Sequence, residues 1–172
     1  TEAEMTAREQ MYEMFLFLKK NIPGCENCDI IESASEIGIR ESRRIVGLYT
    51  ITEEDVTKAH KHDDRIARAT YEIDIHTPAG TGTYHCPVPE NDFYTIPYRA
   101  LIPTGADNLI VAGRPISSTH EAHSSFRIMP ITSCIGEAAG IAASLVRKHD
   151  CASKDIPVKT MQDILTDNGA LI

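Results

Sequence analysis

Residues 109–150 read LIVAGRPISSTHEAHSSFRIMPITSCIGEAAGIAASLVRKHD. An uninterrupted apolar run, 109–112, stops at Gly113, which is the pattern of a strand buried on both faces of a parallel sheet. A polar loop, PISSTHEAHSS, follows, and then Pro130 opens a helix at its first position, where the missing amide hydrogen costs nothing. That helix is thin. Gly136, Ala139, Gly140, Ala143 and Ser144 recur at helical spacing, so one face carries almost no side chain. Two interior glycines cost roughly 1 kcal/mol each relative to alanine, so the face is expected to be packed closely by a strand, a helix or a ligand. In open α/β sheets ligands gather beyond the carboxyl ends of strands, which puts Gly113, Arg114 and the polar loop at a site.

The free amides at the start of the helix suit a group that is, or becomes, anionic. A phosphate and the pyrimidine edge of a reduced flavin both meet that description. His120 and His123 lie in the loop as candidate proton relays, and Arg127 stands three residues before Pro130.

Upstream, residues 2–21 predict an amphipathic helix with Met11, Met14, Phe15, Leu18 and Ile22 as a core stripe and Pro23-Gly24 as its stop. DIIESASEIGIRESRRIVGLYTIT predicts two strands around a charged corner. Thr52, followed by Glu53, Glu54 and Asp55, reads as the capped start of a short helix ending near His62. IARATYEIDIH alternates as one strand with a wet face. Residues 77–91 read as a long loop, YTIPYRALIP as an extended segment kept out of a central strand by its prolines, and DIPVKTMQDILTDNG as a closing helix stopped by Gly169.

The chain has 172 residues, 42% of them hydrophobic, enough for a core of its own. A net charge of -8 argues against nucleic acid as a partner, since phosphate binding needs a basic footprint. No run approaches the roughly 18 apolar residues of a membrane span, and the first residues lack the pattern of a signal peptide. Five cysteines in a chain of this size fit reduced thiols, hence a cytoplasmic setting. Cys25 and Cys28 form a CxxC, but no second pair completes a zinc site, and the segment is preferred as a turn with two incidental thiols.

IPYRALIPTGADNLIVAGRPISSTHEAHSSFRIMPITSCIGEAAGIAASL resembles the carboxyl-terminal signature of FAD-dependent oxidoreductases of the glutathione-reductase-like superfamily. IGIRESRRIVGLYTITEEDV resembles an upstream block of the same family. The resemblance implies an α/β fold, as a mixed α+β fragment: residues 1–92 as part of an inserted substrate-domain sheet, and 93–172 as the later part of a Rossmann-like FAD-binding domain. It implies FAD as cofactor and hydride transfer from a small-molecule substrate. Gly113 and Arg114 then fall beside the ribityl or phosphate region, and Ile131, Thr132 and Ser133 at the flavin ring as amide donors. Arg127 and His120 become the candidate catalytic residues, while Arg40, Glu41, Arg43 and Arg44 read as a structural ion-pair cluster. The chain has no GxGxxG, so it is expected to be a carboxyl-terminal fragment whose partner is the amino-terminal part of the same polypeptide. Two other readings stand beside this one: a non-catalytic binding or assembly module, and a thiol-redox or metal protein using Cys25 and Cys28.

Overall fold

The computed structural model describes residues 2–76 and 82–172. The chain divides into two compact units, Thr1–Arg40 and Glu41–Ile172. The division expected at residue 92 lies inside the second unit, where a strand ladder crosses it.

In the first unit, α1 (Glu2–Asn21) starts with Glu2 and Glu4 and ends with Lys19 and Lys20, which suits both ends of its dipole. It stops at Pro23-Gly24, where Gly24 takes a φ of +93°. The expected core stripe is not a core, because no α1 residue is buried. Met11, Met14, Phe15 and Leu18 instead border an open groove with Cys25, Cys28, Ile30 and Ile31. The CxxC is a turn, closed by Cys28 N–H donating to the Cys25 carbonyl at 3.1 Å. Residues 29–46 form no regular element and pair with no strand among the described residues, and Ile31 is fully exposed. Arg8 holds part of this segment through Ser33 Oγ (2.6 Å) and the Ser35 carbonyl (3.0 Å).

The second unit is built on two antiparallel pairs. β1 (Arg65–Ala69) pairs with β4 (Tyr94–Pro97), and β2 (Ile73–His76) with β3 (Thr83–Cys86). The single strand expected over 65–76 is thus two, separated at 70–72, and part of the expected loop is β3, with Tyr84 opposite Ile75. A bulge between Arg65 and Ala67 lets adjacent Ile66 and Ala67 both reach the core. β4 is buried along its whole length, and Pro97 closes it.

α2 (Glu53–Thr57) starts as expected with a full capping box between Thr52 and Asp55, though it ends five residues before His62. α3 (His120–Phe126) occupies much of the stretch expected to be loop, capped by Thr119 Oγ1 accepting from Ala122 N–H at 3.3 Å. α5 (Val158–Asp167) ends in a Schellman arrangement, Ala170 N–H to Leu165 O and Gly169 N–H to Thr166 O, both 2.9 Å, with Gly169 at φ +89°.

α4 (Met129–His149) corrects the expectation about the thin face. It packs on β1 and α5 through Ile131, Ile135, Ala138, Ala142 and Leu145, while Gly136, Gly140, Ala143 and Ser144 face outward and are exposed. A Cβ added at Gly136 or Gly140 would meet nothing within 4 Å. In this chain, therefore, Ala142→Leu is expected to cost about 2 kcal/mol by overpacking. Gly140→Leu is expected to raise Tm slightly through helix propensity. Equal melting temperatures for the two variants would contradict this packing.

By length and composition alone α4 is long and apolar enough to cross a membrane, although the sequence was expected to hold no such segment. Ile131, Ile135 and Leu145 of this helix are packed inside the unit, while Met129 is exposed.

The run 109–112 is extended but joins no sheet. Val111 N–H donates to Leu101 O at 2.9 Å, and Leu109 is about half exposed. No parallel sheet occurs among the described residues. A parallel strand needs neighbours delivered by crossovers, and none is delivered here. Gly113 does end the run, at φ +81°.

Candidate active site

Three extended pieces hold the site from below. Ile45 N–H donates to Pro115 O (2.9 Å), Leu48 N–H to Ile102 O (2.9 Å), and Ile51 N–H to Ser117 O (3.1 Å). Gly47 makes this approach possible: a Cβ there would lie 2.7 Å from Ser117 Cβ and 3.2 Å from Ala100 O. The isolated bridge Ile51 to Ser118 delivers the chain to Thr119, whose N–H donates to Ile51 O at 2.8 Å, and so sets the start of α3.

Two buried serines then fix α3 against β2. Ser124 Oγ accepts from Asp74 N–H (3.2 Å), and Ser125 Oγ donates to Tyr71 O (2.5 Å) while lying 2.6 Å from the Tyr94 hydroxyl. With α3 so placed, His120 and His123, three residues apart, share one face. Glu41 bridges them: its Oε2 lies 2.7 Å from His120 Nδ1 and 3.6 Å from His123 Nδ1, and its Oε1 pairs with Arg44. Arg44 Nε in turn donates to Ser118 O at 3.0 Å.

His123 is 1% exposed, and its Nδ1 has no hydrogen-bond partner. Burial pushes its pKa down to about 4, helped by the charges of Arg44, Arg127, His120 and Arg114. The ring stands edge-on to Phe126, with centroids 5.5 Å apart. The imidazole is thus buried and neutral near pH 7, with Glu41 Oε2 3.6 Å from its Nδ1.

Of the residues expected at the site, Arg114, His120 and Arg127 all act on His123. Arg127 caps the end of α3, and its Nη2 donates to the Asp74 carbonyl of β2 at 3.1 Å. Glu41 and Arg44 do form the ion pair expected of them, but they also fasten His120 to the Ser118 backbone. Arg40 belongs to the first unit, and Arg43 is exposed. Gly113 is half-buried, and its added Cβ would touch only Pro115 Cδ, at 4.0 Å.

At the mouth of α4, Ile128 is the N-cap, so Met129 rather than Pro130 takes the first helical position. The first intrahelical bond is Thr132 N–H to Ile128 O (3.1 Å), and Thr132 Oγ1 is engaged with the Ile128 and Met129 carbonyls. Of the three amides expected as donors, only that of Ile131 precedes the first bond; those of Thr132 and Ser133 fall within the helix register. Sequence reasoning missed Ser124 and Ser125 as organising residues, and named His123 only as a candidate proton relay. The signal available was HxxH at helical spacing, directly after a threonine able to cap.

Residues 1–165 match the family model described as FAD dependent oxidoreductase. The chain belongs to the FAD-dependent oxidoreductase family. Neither the comparison with curated proteins nor that with solved structures gives a match. Family membership agrees with a mixed α/β fold and implies FAD as the cofactor. Arginines such as Arg114 and Arg127, and a helix-start amide such as that of Ile131, are groups of the kind that can hold an electron-rich ring edge or an anionic substrate. Nothing in the sequence offers a glycine-rich turn for the AMP end.

Proposed function

We propose that this chain is the carboxyl-terminal part of a flavoprotein of the glutathione-reductase-like superfamily that oxidises a small molecule. In this reading residues 1–92 belong to the substrate domain and 93–172 to a Rossmann-like FAD-binding domain. The observation that carries it is the family match over residues 1–165, and the best-defined cluster beside it is Glu41 Oε2 set between His120 Nδ1 (2.7 Å) and His123 Nδ1 (3.6 Å). FAD, when bound, supplies the acceptor for a hydride from the substrate.

The chain's own residues do the rest. Arg127, Arg114 and the Ile131 amide offset negative charge that develops at the ring or on the substrate. Gly113 lets the backbone come close to the cofactor. Glu41 holds His120 at Nδ1, which leaves Nε2 to exchange a proton with the substrate. The Glu41 and Arg44 pair keeps that imidazole in place.

Two features of the second unit favour a missing partner from the same polypeptide. The run 109–112 has the composition of a buried strand and no strand neighbour among the described residues, and the small-residue face of α4 is exposed there. An upstream sheet would cover both. Five cysteines without bridges agree with a reducing, cytoplasmic setting.

The test is flavin content. This chain alone is expected to purify colourless, and the same chain expressed with its upstream reading frame to carry stoichiometric FAD. A yellow 172-residue protein would overturn the fragment reading. A longer protein with no flavin would overturn the functional one.

A further inference from the structure

A second cluster of side chains lies on α2 and the loop after it, and the candidate active site makes no use of it. Asp55, His60 and His62 each present one ligand-type atom, all within 4.8 Å of one another. His62 is 3% exposed, and its Nε2 has no hydrogen-bond partner; it faces Asp55 Oδ1 at 3.6 Å. An imidazole nitrogen buried without a partner is costly, and a bound cation would remove that cost.

The carboxylate is preset. Asp55 Oδ2 accepts from Thr52 N–H (2.8 Å) and Thr52 Oγ1 (3.0 Å), while the Tyr49 hydroxyl spans Oδ1 (2.8 Å) and Oδ2 (3.0 Å). Oδ1 therefore keeps a lone pair on the side of His62. The Tyr49 ring stands edge-on to His62 at 4.8 Å and limits its rotation. The loop backbone is fixed as well: His62 N–H donates to Thr95 Oγ1 (2.8 Å) and Thr95 N–H to His60 O (3.0 Å). Arg99, over the Tyr49 ring, is already paired with Asp64 at 2.9 Å, so its charge is compensated locally.

We propose that Asp55, His60 and His62 bind a divalent transition ion of the imidazole-preferring kind, with Zn2+ as its representative. Two imidazoles and one carboxylate are a recurrent zinc ligand set, with bonds of about 2.0–2.2 Å that bring neighbouring ligand atoms to about 3.3 Å. The 3.6 Å between His62 and Asp55 is already close to that spacing. His60 is exposed and has room to swing the remaining distance. The fourth position falls to water on the His60 side. Tyr49 acts through Asp55 as a positioning residue.

The experiment is titration of the full chain with Zn2+ by calorimetry, and with Co2+ followed by visible absorption. One ion per chain is expected at micromolar concentration. His60→Ala, at an exposed position that should not disturb folding, is expected to weaken binding at least about 10-fold, and Tyr49→Phe by about 10–100-fold with unchanged circular dichroism. Cys25→Ser/Cys28→Ser is expected to leave it unchanged. The proposal is overturned by the absence of saturable binding, by binding that His60→Ala does not alter, or by binding that disappears with the two cysteines. Flavin content enters none of these readouts, so this outcome is independent of the proposed oxidoreductase role.

Discussion

Arg127→Met is expected to lower turnover of the active enzyme roughly 100-fold while flavin stays bound, the typical consequence of removing one preorganised charge from a reacting centre. The side chain stands between the end of α3 and the start of α4, and its charge reaches His123. Its Nη2 bond to the Asp74 carbonyl gives it a structural share, so Tm should also fall by the equivalent of about 1 kcal/mol. Arg127→Lys keeps the charge but loses the planar fork, and should recover part of the rate. A second readout separates charge from scaffold: the pKa of His123, followed by NMR, should rise in Arg127→Met and much less in Arg127→Lys. Normal turnover in Arg127→Met, or a loss that merely tracks unfolded protein, would make the arginine structural.

The elements legible in the sequence are those whose signals are local. α1 was stopped by Pro23-Gly24, α2 started by Thr52 and the acidic residues after it, and α5 stopped by Gly169. What failed was whatever depends on a partner. Residues 109–112 and 29–46 have strand composition, but a strand is a pairing, and no neighbour for either occurs among the described residues. The small-residue face of α4 was visible in the sequence, yet the pattern does not say what fills it. The competing stripe Ile131, Ile135, Ala138, Ala142 and Leu145 was equally visible and is the one buried. Larger apolar side chains remove more surface from water, so they decide which face turns inward.

The site was legible in parts for the same reason. Arg114 and Arg127 could be singled out because they flank a glycine stop and a helix start, and His120 because it falls in the block that resembles the family. Glu41 and Arg44 lie some 80 residues upstream of His120 and meet it only because segment 45–51 threads between 99–104 and 115–119. His123 was expected in a loop, as a candidate proton relay. Its burial follows from α3, and α3 from Thr119, Ser124 and Ser125.

Acidification from pH 6.5 to 4 is expected to remove up to about 3 kcal/mol of stability through His123 alone, at about 1.4 kcal/mol per pH unit. The sign follows from the direction of the shift. An unfolded chain protonates this imidazole near its ordinary value of 6.5, whereas the folded chain refuses the proton until about 4. Across that window the unfolded state binds more protons, so each step down in pH favours unfolding; above pH 6.5 the group contributes no slope. Carboxylates act lower. Asp64, held below its ordinary value by Arg99, stays ionised in the folded state through the same window, and its own contribution is lost only as pH falls through its depressed folded pKa. Urea unfolding at pH 7, 5.5 and 4 reads the slope, and His123→Phe tests its source. Phenylalanine keeps a ring against Phe126 and breaks no hydrogen bond at Nδ1, because none is made there. The variant should lose about one proton's worth of slope between pH 6.5 and 4. An unchanged slope would mean that His123 is protonated in the folded protein, and that Glu41, 3.6 Å away, outweighs both burial and the surrounding arginines.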